Sequence, residues 1–168
     1  RFIESLSDKD DNLINDLMKS LKENGKYELP LDMKEKLSSF FGGYTDDKET
    51  KDTIKKVYDK YSYVIDTHTA VAYKVYEDYV AKTGDKDTQT LLAATASPFK
   101  FTRAVVEAIT GENQDKLDDF QLVDKLSEIT GWEIPENIYK LNEKEVFHDT
   151  VIETNEMKKC VKEFLNIK

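Results

Sequence analysis

In 168 residues the chain has one cysteine, two histidines, three prolines and six glycines, and these scarcities close off whole classes of protein. A lone Cys160 cannot form an intramolecular disulfide, which fits a reducing cytoplasm. With only His68, His148 and Cys160 as nitrogen or sulfur ligands, a structural zinc site has too few donors, so no metal is expected. No apolar run approaches the roughly 18 residues of a membrane span, and no signal peptide is visible, so no membrane partner is expected. The glycines are scattered, with no G-x-G-x-x-G, Walker loop, G-x-S-x-G, H-E-x-x-H or C-x-x-C. Cations are outnumbered, 25 Lys and Arg against 34 Asp and Glu, for a net charge of −9. Phosphate affinity rests on clustered Lys and Arg, so nucleic acid is not an expected partner.

What is present argues for a folded chain. Hydrophobic residues make up 39% and aromatics 11%, against 35% charged, and the length allows one cored domain or two small ones. The lysines are interspersed with acids, as in "KETKDTIKKVYDKY", the pattern of a solvated helical face. The opening "RFIESL" has no initiator Met and begins with Phe2, Ile3 and Leu6 already at helical spacing. We expect the chain to have been cut from a longer protein.

Helices dominate the reading. Ser7 is placed to cap a helix carrying Leu13, Ile14, Leu17, Met18 and Leu21, closed near Gly25. After Pro30, the residues Met33, Leu37, Phe40 and Phe41 form a stripe that Gly42 and Gly43 stop. Asp46 and Glu49 have the capping-box form ahead of a helix burying Ile54, Val57, Tyr58 and Tyr61. "DTHTAVAYKVYEDYVAKTG" predicts a one-sided helix with Val71, Ala72, Val75, Tyr76, Tyr79 and Val80 inward, ended by Gly84. A short helix around Ala104, Val105, Ala108 and Ile109 stops at Gly111. Asp118 and Gln121 box the next, with Leu117 stapled against Leu122, and Gly131 ends it. Thr154 begins a last helix with Met157, Val161, Phe164 and Leu165.

Two stretches read as strands. In "TQTLLAATASPFKF", residues 88–101, Leu91 and Leu92 are followed by the small Ala93 and Ala94 and then by Thr95. A short apolar run bounded by turn residues suits a covered strand, although periodicity alone does not exclude helix. Small residues at its end let something bulky approach the backbone, and Thr95 stands where open α/β sheets place ligands. "VFHDTVIE" reads as a second strand. Two strands do not make a stable sheet, so the others are expected elsewhere.

The candidate site residues gather in two places. At "DTHTAVA", Asp66, Thr67 and Thr69 can each satisfy free amides at a helix start. His68 beside them can donate to a substrate oxygen or shuttle a proton; the plainer reading is a well-capped helix with a surface histidine. His148 and Asp149 are adjacent, and on a strand they would face opposite ways, which argues against an acid–base pair.

Together, "YVIDTHTAVAYKVYEDY" and "LLAATASPFKF" resemble threonine synthase, in its long bacterial and fungal branch. "GKYELP", "FFGGYTDDKETKDTIKKVYDKY" and "LSEITGWEIPENIYKL" extend that resemblance along the whole chain in order. It implies an α/β parent fold, type II among pyridoxal-phosphate (PLP) proteins, of which this chain is the mostly helical C-terminal part with a few short strands. It implies a carbon–oxygen lyase acting on phosphate, converting O-phospho-L-homoserine and water to L-threonine and phosphate. Residues 1–64 would be a helical segment of the large domain or an insertion. Residues 65–110 would belong to the PLP-binding core, and 111–168 would form a helical extension; all three can form one compact unit.

By the same resemblance, Thr95 is the cofactor-binding residue, its hydroxyl facing the pyridine nitrogen. Asp66, His68, Thr69, Ala94 and Ser97 line the active site. The family often has Pro at the position of Thr67 and Ser at that of Ala94, which leaves the loop shape open. The Schiff-base lysine and the phosphate-cradling loop lie upstream, so this chain needs the rest of its protein as partner and is expected to be inactive alone. Lys100 is rejected as a substitute lysine, because nothing in the family pattern puts it there. The rival reading is a free-standing acidic helical module that binds another protein without catalysis.

Overall fold

A computed structural model describes residues 1–167, and among them the chain is helical. Eight α-helices follow in order: α1 Phe2–Leu6, α2 Asp11–Asn24, α3 Leu31–Lys36, α4 Asp47–Tyr61, α5 Thr67–Thr83, α6 Thr102–Thr110, α7 Asp119–Thr130 and α8 Met157–Phe164. Short 3-10 turns occupy Leu37–Ser39, Pro98–Lys100, Leu141–Glu143 and Thr154–Glu156.

The helix starts follow local hydrogen-bond chemistry. Asp46 and Asp118 each accept from the amide three residues on, at 2.7 and 2.8 Å. Glu49 and Gln121 reach back to complete both capping boxes. Gly25, Gly84, Gly111 and Gly131 end their helices in the left-handed conformation that Cβ disfavours. One start differs from the sequence reading: Ser7 does not open α2 but closes α1, its hydroxyl donating to the Glu4 carbonyl at 2.8 Å. Asp8 and Lys9 then take positive φ, turning the chain so that Asp10 caps α2 through the Leu13 amide at 3.0 Å.

One core joins α4, α5, α6 and α7. Ile54, Val105, Val106, Leu122 and Leu126 are wholly buried in it, with Phe99 from the turn before α6. Leu117 and Leu122 belong to the same cluster, as a staple across the start of α7 requires. Polar groups tie the helix ends together around this core. Lys55 donates to the Ile109 carbonyl near the end of α6, and the Tyr58 hydroxyl donates to Ile129 in α7, both at 3.2 Å. A smaller cluster lies toward the N-terminus, where Met33 is fully buried and Phe2 meets Phe40 edge-on at 4.9 Å.

The α5 helix is less one-sided than its pattern predicts. None of Val71, Ala72, Val75, Tyr76, Tyr79 and Val80 is fully buried; Thr69 and Ala70 are. Its apolar residues serve two neighbours, because the segment before α4 also lies against this helix. Tyr79 packs edge-on against Phe41 at 5.4 Å, and a Cβ on Gly43 would fall 2.9 Å from the Val75 methyls. Gly42 and Gly43 therefore do not stop a helix, which ends at Lys36; Gly43 permits a close approach.

Neither expected strand forms among the described residues. Residues 88–95 run without regular hydrogen bonding, Leu91 is 94% exposed, and Ala93, Ala94 and Thr95 are exposed as well. "VFHDTVIE" is likewise irregular and exposed. The reason is common to both: a strand is stabilised by pairing its backbone with a neighbour, and no partner strand is present among the described residues. The last helix does form, as a 3-10 turn leading into α8, but Met157, Val161, Phe164 and Leu165 are all exposed.

Candidate functional site

The start of α5 holds the one buried charged side chain among the described residues. Asp66 is 1% exposed. Its Oδ1 accepts from the His68 amide at 2.8 Å and the Thr69 amide at 3.4 Å, and its Oδ2 accepts from the Thr69 hydroxyl. The free amides of the first turn thus have one carboxylate as their acceptor. Thr67 takes no part in the cap. The Thr69 hydroxyl is buried and engaged with Asp66, so it braces the cap rather than facing a ligand.

His68 differs from its neighbours, since its side chain is 66% exposed. Its Nδ1 lies 3.4 Å from Asp66 Oδ1 and 3.5 Å from the Thr67 hydroxyl, and Nε2 has no partner among the described residues. The ring rests on Phe101, with centroids 4.9 Å apart and planes tilted by 49°. A buried acid, an exposed imidazole and an aromatic wall together hold one ring nitrogen inward and the other available.

His68 borders a groove of about 520 Å³ that also touches Thr50, Lys51, Arg103 and Glu107. Lys51 donates to Glu107 at 2.6 Å. That contact, helped by the Gln114 amide and opposed by burial, holds the Glu107 carboxyl below its ordinary range. Arg103 donates to the Gln114 and Leu117 carbonyls at 2.7 and 2.9 Å, which fixes the loop before α7 onto α6.

The second group of candidates stands apart from this groove. Ser97 caps the turn Pro98–Lys100, its hydroxyl accepting from the Phe99 amide at 3.3 Å. Ala94 and Thr95 are exposed, and neither lines the groove. What joins the two motifs is Phe101, which follows Ser97 by four residues and meets His68. Lys100 is exposed, with its ammonium 5.5 Å from the Phe101 ring centre. Phe101, Arg103 and the Lys51–Glu107 pair were missed in the sequence; the aromatics of "PFKF" were the available signal for the first. His148 and Asp149 are exposed on an irregular segment. No three potential metal ligands come together among the described residues, and no helix is long and apolar enough to cross a membrane.

Comparison with known proteins relates the chain to one family. The family model "Threonine synthase, C-terminal" matches residues 69–152, half of the chain. Threonine synthase of Saccharomyces cerevisiae is 32% identical over 123 residues, covering 70% of this chain and 24% of that protein. Threonine synthase of Schizosaccharomyces pombe is 42% identical over 62 residues, 37% of this chain and 12% of that protein. The crystal structure of PLP-bound threonine synthase from Brucella melitensis aligns with a TM-score of 0.52 at 27% identity, over 78% of this chain and 26% of that one. The chain thus spans about a quarter or less of the length of these relatives. It belongs to the threonine synthase C-terminal family.

Proposed function

We propose that this chain is the C-terminal part of a PLP-dependent threonine synthase, which converts O-phospho-L-homoserine and water to L-threonine and phosphate. The observation that carries the reading is Thr95, inside the family match, exposed and with a hydroxyl that has no partner among the described residues. Ala93 and Ala94 before it are small and exposed. A free hydroxyl at the end of such a run fits a flat heteroaromatic ring bearing a nitrogen acceptor.

In the complete enzyme PLP supplies an electron sink for charge developing on the substrate's carbons. This chain's part is to hold and orient. The Thr95 hydroxyl would donate a hydrogen bond to the pyridine nitrogen, and being neutral it would not keep that nitrogen protonated as an aspartate does. Ser97 fixes the turn beneath it through the Phe99 amide. Phe101 passes that position on to His68, whose free Nε2 lends polarity to the site while Asp66 and Thr69 hold the helix start rigid. Residues 88–95 join a parallel sheet of the type II α/β parent fold. Without the upstream lysine, the 168-residue chain by itself has no catalytic activity.

Borohydride reduction of the protein as its own cell makes it, followed by peptide mapping, tests the reading. A pyridoxyl-lysine on a peptide upstream of Arg1 is expected. Finding no pyridoxyl group on any peptide sinks it.

A further inference from the structure

Six polar or charged side chains are buried among the described residues: Thr50, Thr53, Asp66, Thr69, Thr102 and Gln114. Five are hydrogen-bonded within the chain. Thr102 is the exception; it is 6% exposed and its hydroxyl has no partner. No fully enclosed side-chain nitrogen or oxygen among the described residues lacks a partner, so this hydroxyl keeps a small opening. Thr102 is among the residues lining a groove of about 440 Å³ between the start of α6 and α7.

Thr102 is the first residue of α6. Its N-cap, Phe101, has no side-chain oxygen, and the start carries no side-chain cap. Helices α2, α4, α5 and α7 all have aspartate there. Phe101 receives the first α6 bond, from Val105, which leaves the amides of Thr102, Arg103 and Ala104 without acceptors. Lys100 and Arg103 line the same groove, and His68 stacks on Phe101 beside it. Arg103 is anchored to the Gln114 and Leu117 carbonyls, so it supplies positive charge at a fixed place. The one opposing group in the lining is Asp119, whose Oδ1 lies 3.4 Å from Arg103.

We infer that the start of α6 is a phosphate-binding site, held by the amides of Thr102, Arg103 and Ala104, the Thr102 hydroxyl and the Lys100 ammonium. Three helix-start amides and a hydroxyl offer four donors to a group that carries only acceptors, and the helix dipole favours its charge. An aspartate cap, used at four of the seven other α-helix starts, would supply an acceptor of its own and exclude the anion.

The test is a titration of the 168-residue chain with inorganic phosphate, followed at the backbone amide resonances of Thr102, Arg103 and Ala104. Saturable shifts are expected at these three amides and not at the aspartate-capped starts of α4 and α7. Thr102→Val, nearly isosteric, is expected to weaken binding about tenfold, and Thr102→Ser to restore it. Asp119→Asn is expected to tighten it about threefold by removing a repelling charge. Shifts that fail to saturate, that appear equally at the capped starts, or that persist unchanged in both Thr102→Val and Lys100→Gln overturn the site. A parallel titration with O-phosphoserine separates sources: equal affinity means the site reads a phosphate group alone, and tighter binding means it reads an organic monoester. Neither titration needs PLP or catalysis, so failure here leaves the proposed function standing.

Discussion

The His68 ring rests on Phe101 at 4.9 Å, so the two stretches that carry the family resemblance touch each other in space although these two residues stand 33 positions apart in sequence. If the contact couples them, its energy is measurable. Aromatic pairs of this kind contribute about 0.5–1.5 kcal/mol beyond buried area. A double-mutant cycle with His68→Ala and Phe101→Leu, read by denaturant unfolding of the chain, should return a coupling in that range. Strict additivity would mean that the rings are merely neighbours.

Thr95 should matter to chemistry and not to folding. In the complete protein, Thr95→Ser keeps the hydroxyl and is expected to retain most of kcat. Thr95→Ala should lower kcat about tenfold or more, the worth of a hydrogen bond into a desolvated ring. Because the residue is exposed in this chain, neither change should shift the chain's unfolding midpoint. An alanine variant with full kcat would remove Thr95 from the site.

Core and surface leucines give opposite expectations. Leu122 is wholly buried between helices, and Leu122→Ala should cost about 2–5 kcal/mol by leaving a cavity. Leu91, almost fully exposed, should tolerate Leu91→Ala within about 0.5 kcal/mol in this chain. Equilibrium unfolding of both variants decides it, and a comparable loss at Leu91 would mean that residues 88–95 are packed.

The acid limb of stability should run through Glu107. Its carboxyl titrates below the ordinary range, chiefly because Lys51 donates to it. A depressed folded pKa stabilises the fold above the unfolded value and is lost as pH falls through the folded one. Stability should therefore drop from about pH 4.5 downward, and Glu107→Gln should flatten that drop. A denaturation series across this window checks the sign; an unchanged slope in the variant would show that the pair adds nothing.

Helix boundaries were readable wherever a cap is a local hydrogen bond, as at Asp46, Asp66 and Asp118, because four residues suffice to form it. The start of α2 was misplaced because the positive φ of Asp8 and Lys9 decides between Ser7 and Asp10, and neither residue type announces it. Asp66 and His68 were visible as a helix start, but Thr69 could not be separated into brace or ligand contact without knowing that its hydroxyl turns inward. Arg103 and the Lys51–Glu107 pair were not readable, since they depend on how α4, α6 and α7 pack. The strand pattern of residues 88–95 was legible as sequence, while its pairing is a relation between segments that a linear pattern does not contain.

That same segment supplies the sharpest test of the larger reading. Leu91 and Leu92 with Ala93 and Ala94 form an apolar run, yet in this chain most of it faces solvent without backbone partners. Such a run would be stabilised by adding to a sheet supplied by the rest of a longer protein, of which this chain covers about a quarter by comparison with its relatives. Amide hydrogen exchange should therefore be fast at residues 88–95 in the 168-residue chain and strongly slowed in the complete protein. Residues 122–128 of α7, already packed here, should be protected in both. Equal, fast exchange at residues 88–95 in the complete protein would leave Thr95 on a solvent-facing segment and take away the basis for placing it against a cofactor.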